Sequence, residues 1–151
     1  MVRVASLLAR FGIPAVLALL SGPALADSSR DFGNYEVHFN ALTTDMLSPA
    51  VARQYGIARS GNRGMINVVV LKKTLGTPGQ PVKADLQAMG TNLTGQIKDI
   101  SLREIDEGNA IYYLGEFSVI HQETVDFDIR VRPAGSNDTY HVRFRHQFFG
   151  P

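Results

Sequence analysis

Three observations predict an all-β fold, an immunoglobulin-like antiparallel sandwich of about seven strands with one short helix. From Tyr35 onward, stretches alternating apolar with polar residues recur along the chain, which is the period of half-buried strands. Clusters rich in Gly, Pro and Asn separate those stretches. Only one segment, Ser48 to Gly56, carries paired start and stop signals for a helix. A small closed barrel would show the same period and stays the alternative. The chain has neither Cys nor Trp, so the Cys and Trp core of antibody domains is absent and the likeness is one of architecture alone.

Asp27 to Asn34 is polar and reads as a loose lead-in. Tyr35, Val37, Phe39 and Ala41 then fall on one face of a strand, with Glu36, His38 and Asn40 on the other. Ser48 suits an N-cap, Pro49 the first helical position and Gly56 the C′ position, which predicts a helix over Pro49 to Tyr55 with Val51 and Tyr55 on a shared face. In the loop Arg59 to Gly64 the glycines serve turns that need positive φ. Met65 to Leu71 is apolar on both faces apart from Asn67, as in a central strand covered on both sides, with the helix on one. Lys72 and Lys73 at its end read as protection of a strand edge. Gly76 to Gly79 makes a turn, and Val82, Ala84, Leu86 and Ala88 alternate in the next strand.

Two hairpins complete the pattern. A turn at Asp106 to Asn109 sets Ile105 against Ala110, Leu102 against Tyr113 and Ile100 against Gly115, gathering Ile111 and Phe117 on the apolar face and Asp99, Ser101, Arg103 and Glu116 on the polar one. A turn at Pro133 to Asp138 sets Arg132 against Thr139. Val125, Phe127, Ile129 and Val131 then share a face with Tyr140, Val142, Phe144 and His146, while Asp128 meets Arg143 and Asp126 meets Arg145 outside.

The first 26 residues have a different character. Arg3 and Arg10 give a positive start, Phe11 to Leu20 is a short apolar run, and Ala24-Leu25-Ala26 is a small-residue cleavage pattern. That is the layout of a secretory signal peptide. The run is about half the roughly 20 residues that a membrane span needs. Residues 1–26 are therefore expected to be cleaved, leaving one domain over 27–151 in the periplasm of a Gram-negative bacterium, with release to the medium as the alternative. Removing 26 of the 151 residues leaves 125, enough for one core without disulfides or metals. Loss of Arg3 and Arg10 takes the formal charge from +1 to −1. No basic surplus favours nucleic acid or an anionic membrane, and no span is expected after the signal is removed.

Motifs for chemistry are missing. There is no HExxH, paired HxH or cysteine ligand for a metal, no GxSxG elbow for a nucleophile, and no phosphate-cradling spacing of glycines. His141 and His146 lie five apart on one strand, so they point to opposite faces, and His121 sits near a turn. No cofactor and no catalytic residue is expected. The densest polar cluster is the outer face of the last hairpin, with Asp126, Asp128, Arg130, Arg132, His141, Arg143 and Arg145. Its arginines would suit an anion or a carboxylate, whereas a divalent cation would be repelled. Cross-strand charge pairing on a solvated face is the simpler and preferred account of it.

Phe32 to Lys73 carries Tyr35-Glu36-Val37-His38 with Asn40, then Tyr55-Gly56-Ile57 with Arg59-Ser60, then Gly64 and Asn67 before Val70-Leu71-Lys72. In these features the chain resembles the uncharacterised exported bacterial family called domain of unknown function 4426. The resemblance implies an exported sandwich-like domain and carries over no activity. It singles out His38, Asn40, Arg59 and Asn67 as candidate ligand-binding residues, beside His141, Arg143 and Arg145. The expected role is non-enzymatic, an interaction or accessory module for an envelope protein partner. The second expectation is a small-molecule or anion binder working through its surface arginines. Intact-mass measurement on the exported protein should find Asp27 at its N-terminus; a retained leader would refute the signal-peptide reading.

Overall fold

A computed structural model describes residues 28–150. Residues 1–26, expected to be a cleaved signal peptide, lie outside them. Ten strands form two antiparallel sheets packed face to face, with no closed barrel. In chain order they are β1 (Ser29–Asp31), β2 (Tyr35–Thr43), β3 (Arg63–Lys72), β4 (Gln80–Pro81), β5 (Ala84–Asn92), β6 (Ile97–Ile100), β7 (Leu102–Asp106), β8 (Ile111–Ser118), β9 (Thr124–Pro133) and β10 (Tyr140–Gln147), with helix α1 at Pro49–Tyr55. The first sheet runs β1-β2-β3-β8-β7, with β4 added beside β3, and the second runs β10-β9-β5-β6.

The count exceeds seven for identifiable reasons. Ser29–Asp31 pairs with β2, so the lead-in expected to be loose holds a short edge strand. Gln80–Pro81 adds a two-residue strand beside β3. The strand expected around Ile100 to Ile105 breaks at Ser101, and its halves join different sheets.

Helix α1 forms where its signals place it. The Ser48 hydroxyl accepts from the Val51 N–H at 3.2 Å, and Gly56 closes the helix at φ 65°, a conformation that costs glycine little. Val51, Ala52 and Tyr55 are buried against Met65, Val69, Tyr112 and Leu114. The opposite face of β3 sends Ile66, Val68 and Val70 into the sandwich core. β3 is thus covered on both sides, as its composition requires. Tyr112 and Leu114 lie on the face expected to be polar, and α1 is what buries them. β3 is also interior, flanked by β2 and β8, so Lys72 and Lys73 guard no edge; the Lys73 ammonium instead bonds Asp31 of β1.

The last hairpin has the expected register, with Arg143 against Asp128 and Arg145 against Asp126. The other is displaced by two residues: Ile105 meets Tyr112 and Leu102 meets Gly115. Its turn closes one residue later, with the Glu107 N–H donating to the Ala110 carbonyl at 2.8 Å. Asp106 stays in the strand and accepts from the Gly108 N–H at 2.9 Å. A two-residue shift keeps every side chain on its face. Ile100 pairs with Ala88 in the second sheet, yet its side chain still lies over Gly115, where an added Cβ would collide with it. Gly64 works in the same way. Its φ is not positive, contrary to expectation, and the Phe117 ring occupies the space of a Cβ.

Aromatic rings join the sheets. Phe39 of β2 stacks on Phe144 of β10 at 4.6 Å, Phe144 on Phe127 of β9 at 4.8 Å, and Phe127 meets Phe117 of β8 at 5.5 Å. Phe127 is at the centre of this run, so Phe127→Ala should cost about 3–5 kcal/mol. Reversing Asp128, half-buried on the outer face, to Lys should cost less than about 2 kcal/mol. Denaturant unfolding of both variants checks the assignment of faces, and the opposite order of costs would refute it.

Candidate functional site

The sequence-derived candidates separate into three places. His38, Asn40 and Asn67 come together on the outer face of the first sheet, where Asn40 pairs with Asn67 and His38 with Val69. His38 Nε2 lies 3.3 Å from Glu36 Oε1, and Asn40 Oδ1 accepts from the Ala41 N–H. Asn67 is buried, and neither its Oδ1 nor the buried Tyr112 hydroxyl has a hydrogen-bond partner among the described residues. Burial, with the charge of Glu107 adding to it, raises the Tyr112 phenol to about 12. It is a neutral hydroxyl. Arg59 is elsewhere and acts as a clamp, its guanidinium donating to the Leu47 carbonyl at 2.7 Å and the Asp45 carbonyl at 2.8 Å.

His141, Arg143 and Arg145 lie on the outer face of the second sheet. Arg145 grips Asp126 through two bonds, at 2.7 and 2.9 Å. Asp128 holds both Arg143 at 2.9 Å and His141 at 3.2 Å. The bonds from Arg145 keep the Asp126 carboxyl below its usual range. For Asp128, partial burial pushes upward, and the bonds from Arg143 and His141 outweigh it. The arginines expected to capture an anion are thus already paired by the strand beside them. His146 faces inward against the Phe148 ring at 4.7 Å, and burial lowers its pKa. No group of three or more potential metal ligands occurs among the described residues.

Glu123 is the buried carboxylate of the fold. It accepts from Asn92 at 2.8 Å and from the Ile120 N–H at 3.2 Å, and pairs with Lys98 at 3.2 Å. Its own carbonyl accepts from the Phe148 N–H. One side chain therefore ties the β5–β6 turn to the segment before β9, with every contact satisfied, as in a structural latch.

A different feature arises where the chain changes sheets. β6 pairs with β5 only over Ala88 to Thr91, whereas β9 pairs with β5 along its whole length. The bonds from Ala134 N to Lys83 O and from Asn92 N to Gln96 O fix the alternation. Odd-numbered residues of β5 bond β9, and even-numbered ones face the β6 side. The backbone N–H and C=O of Leu86 point there beyond the end of β6. The Ala84 N–H points the same way and donates to the Tyr113 hydroxyl at 2.8 Å, which in turn donates to Glu104 at 3.1 Å. β7 is the neighbouring edge of the first sheet, and by the same alternation Leu102, Glu104 and Asp106 turn their backbone groups outward. Between these edges runs a groove of about 400 Å³, lined by Leu86, Gln87, Leu102, Glu104, Tyr113 and Arg132 among others. Of its residues only Arg132 stood out in the sequence, as a member of the outer-face cluster of the last hairpin. Ile100 and Leu102 both face the interior, so the alternation continues unbroken through Ser101 and gives no sign that the sheet changes.

No helix among the described residues is long and apolar enough to cross a membrane.

The Glu123 latch has a pH dependence. Burial alone would raise its pKa, but Asn92, Lys98 and the Ile120 N–H together bring it below 4.5. A depressed folded pKa stabilises above the unfolded value, and the gain is lost as pH falls through the folded one. The stability lost in Glu123→Gln should therefore be full near neutrality and shrink below pH 4.5; chemical unfolding across acid pH measures it, and a deficit that grew with acid would refute the assignment.

Comparison with known proteins accords with the architecture. A family model for a domain of unknown function, DUF4426, matches residues 29–150. The crystal structure of a DUF4426 family protein from Pseudomonas aeruginosa is similar at a TM-score of 0.69 and 32% identity, covering 82% of this chain and 94% of that one. FetP of uropathogenic E. coli strain F11, expressed recombinantly in the E. coli periplasm, is similar at a TM-score of 0.57 and 10% identity, over 82% of this chain and 93% of its own. At that identity the likeness is one of fold alone. No curated protein matches the chain. The family model spans nearly all the described residues, and the chain belongs to the DUF4426 family.

Proposed function

We propose that this protein is an exported, non-enzymatic binding module of the periplasm that receives an extended segment of an envelope protein in the groove where its two sheets part. The unfinished edge of β5 is the observation that carries this reading. The Leu86 N–H and C=O face the groove, beyond Ala88, the last residue of β5 that pairs with β6. Strand addition to such an edge supplies main-chain hydrogen bonds for affinity and a pocket for alternate side chains.

The other long edge, β10, is less suited. Its outward backbone groups belong to His141, Arg143, Arg145 and Gln147, long polar side chains of the kind that discourage strand pairing. The anion-binding reading is weakened by the aspartates that already hold Arg143 and Arg145. Export is supported by the leader-like first 26 residues, and FetP, with the same fold, was expressed in that compartment.

A photo-activatable residue at Gln87, in a tagged chain exported by its own leader, should give one discrete protein adduct in intact cells. The same residue at Arg143 should give none. Leu86→Pro removes the open N–H without touching the β9 ladder and should abolish the adduct. An adduct at Arg143 alone, none at either position, or one insensitive to Leu86→Pro would overturn the reading.

A further inference from the structure

Two edges flank the groove, and the groups around them distinguish one from the other. We infer that the incoming segment pairs with β5 rather than β7, antiparallel and in line with β6, and sets a lysine or arginine opposite Asp85. This rests on the strand-acceptor reading above.

The register follows from β6. Its ladder places Lys98 against Gly90 and Ile100 against Ala88, and the next hydrogen-bonded position along that line is Leu86. The chain itself leaves the line at Ser101 to begin β7, so the position opposite Leu86 is open to another chain. A side chain there points inward, between Leu86, Leu102 and Tyr113, and is apolar. The following residue stands opposite Asp85 and points outward.

Charge makes the choice between edges. On β7, Glu104 and Asp106 are both engaged by Lys83, at 3.0 and 3.6 Å, and Glu104 also holds the Tyr113 hydroxyl. On β5, the Asp85 side chain is 80% exposed and meets one cation, Arg132, at 2.9 Å on the β9 side. Its other side faces the position of the added strand. A cation opposite Asp85 completes a cross-strand pair, while a carboxylate there meets like charge.

The test uses the isotope-labelled exported chain and three synthetic peptides of about ten residues, in which valine alternates with lysine, glutamine or glutamate. Backbone amide exchange identifies the edge, and titration at low salt gives the affinities. The lysine peptide should protect the Leu86 amide, leave the Glu104 amide exchanging as before, and bind roughly tenfold more tightly than the glutamate peptide. Asp85→Asn should narrow that gap. Protection of Glu104 in place of Leu86 would overturn the choice of edge. Equal affinity for the lysine and glutamate peptides, or a gap unchanged in Asp85→Asn, would overturn the charge assignment and leave the acceptor reading standing. Failure of all three peptides to protect either amide would overturn the acceptor reading itself.

Discussion

Burial of β3 on both faces is the constraint from which the architecture follows. A run such as Met65-Ile66-Asn67-Val68-Val69-Val70 cannot leave either face in water. One face is satisfied by the second sheet through Ile66, Val68 and Val70. The other needs a separate cover, supplied by the short helix between β2 and β3. Seven residues make a marginal helix alone, so the helix depends on its attachments. Its cap at Ser48, the Arg59 clamp on the preceding carbonyls, the Arg103 bond to the Tyr55 carbonyl and the Tyr55 hydroxyl bond to Glu107 at 2.6 Å hold it on the sheet. The last two attachments come from β7 and the turn after it. Strand β7 therefore has a structural duty in the first sheet that explains why the chain abandons the second sheet at Ser101. The unfinished edge of β5 is the counterpart of a well-anchored helix.

Tyr113 shows how the molecule accommodates that break. Its ring belongs to the sandwich core, and its hydroxyl reaches the opposite sheet to take the Ala84 N–H. Two outward-facing residues of β5 lie beyond the end of β6, and the hydroxyl serves only one of them. Leaving a backbone pair in water is cheap, whereas burying it unpaired is not. The groove is accordingly open to solvent.

How much of this was legible in the sequence depended on whether the determining signal was local. Helix α1 was readable because Ser48, Pro49 and Gly56 act within their own turns. The β9–β10 register was readable because Asp126, Asp128, Arg143 and Arg145 come into phase only in one alignment. β1 was missed because Ser-Arg-Asp has no apolar alternation and is held by pairing to β2. The β7–β8 turn was displaced because shifts of two residues leave the inside–outside pattern unchanged, and Asp106 could serve either as turn or as strand. Of the candidate site residues, His38, Asn40 and Asn67 do share a face, whereas Arg59 has a local structural task. The groove was hidden for a deeper reason. A strand that crosses between facing sheets keeps its inward residues inward, so Ile100 and Leu102 look like members of one uninterrupted strand.

The positions of the outermost strands give the molecule a mechanical polarity. β1 and β10 face each other across one side of the sandwich, with Phe32 stacked on Tyr140 at 4.6 Å, while the crossing at Ser101 lies on the far side. A pull between the first and last strands would load that aromatic contact and peel the outer ladders. The crossing would be the last element to feel the strain. The same side could be held by a tether while the other kept its shape, like a hinge whose pin is set away from the handle.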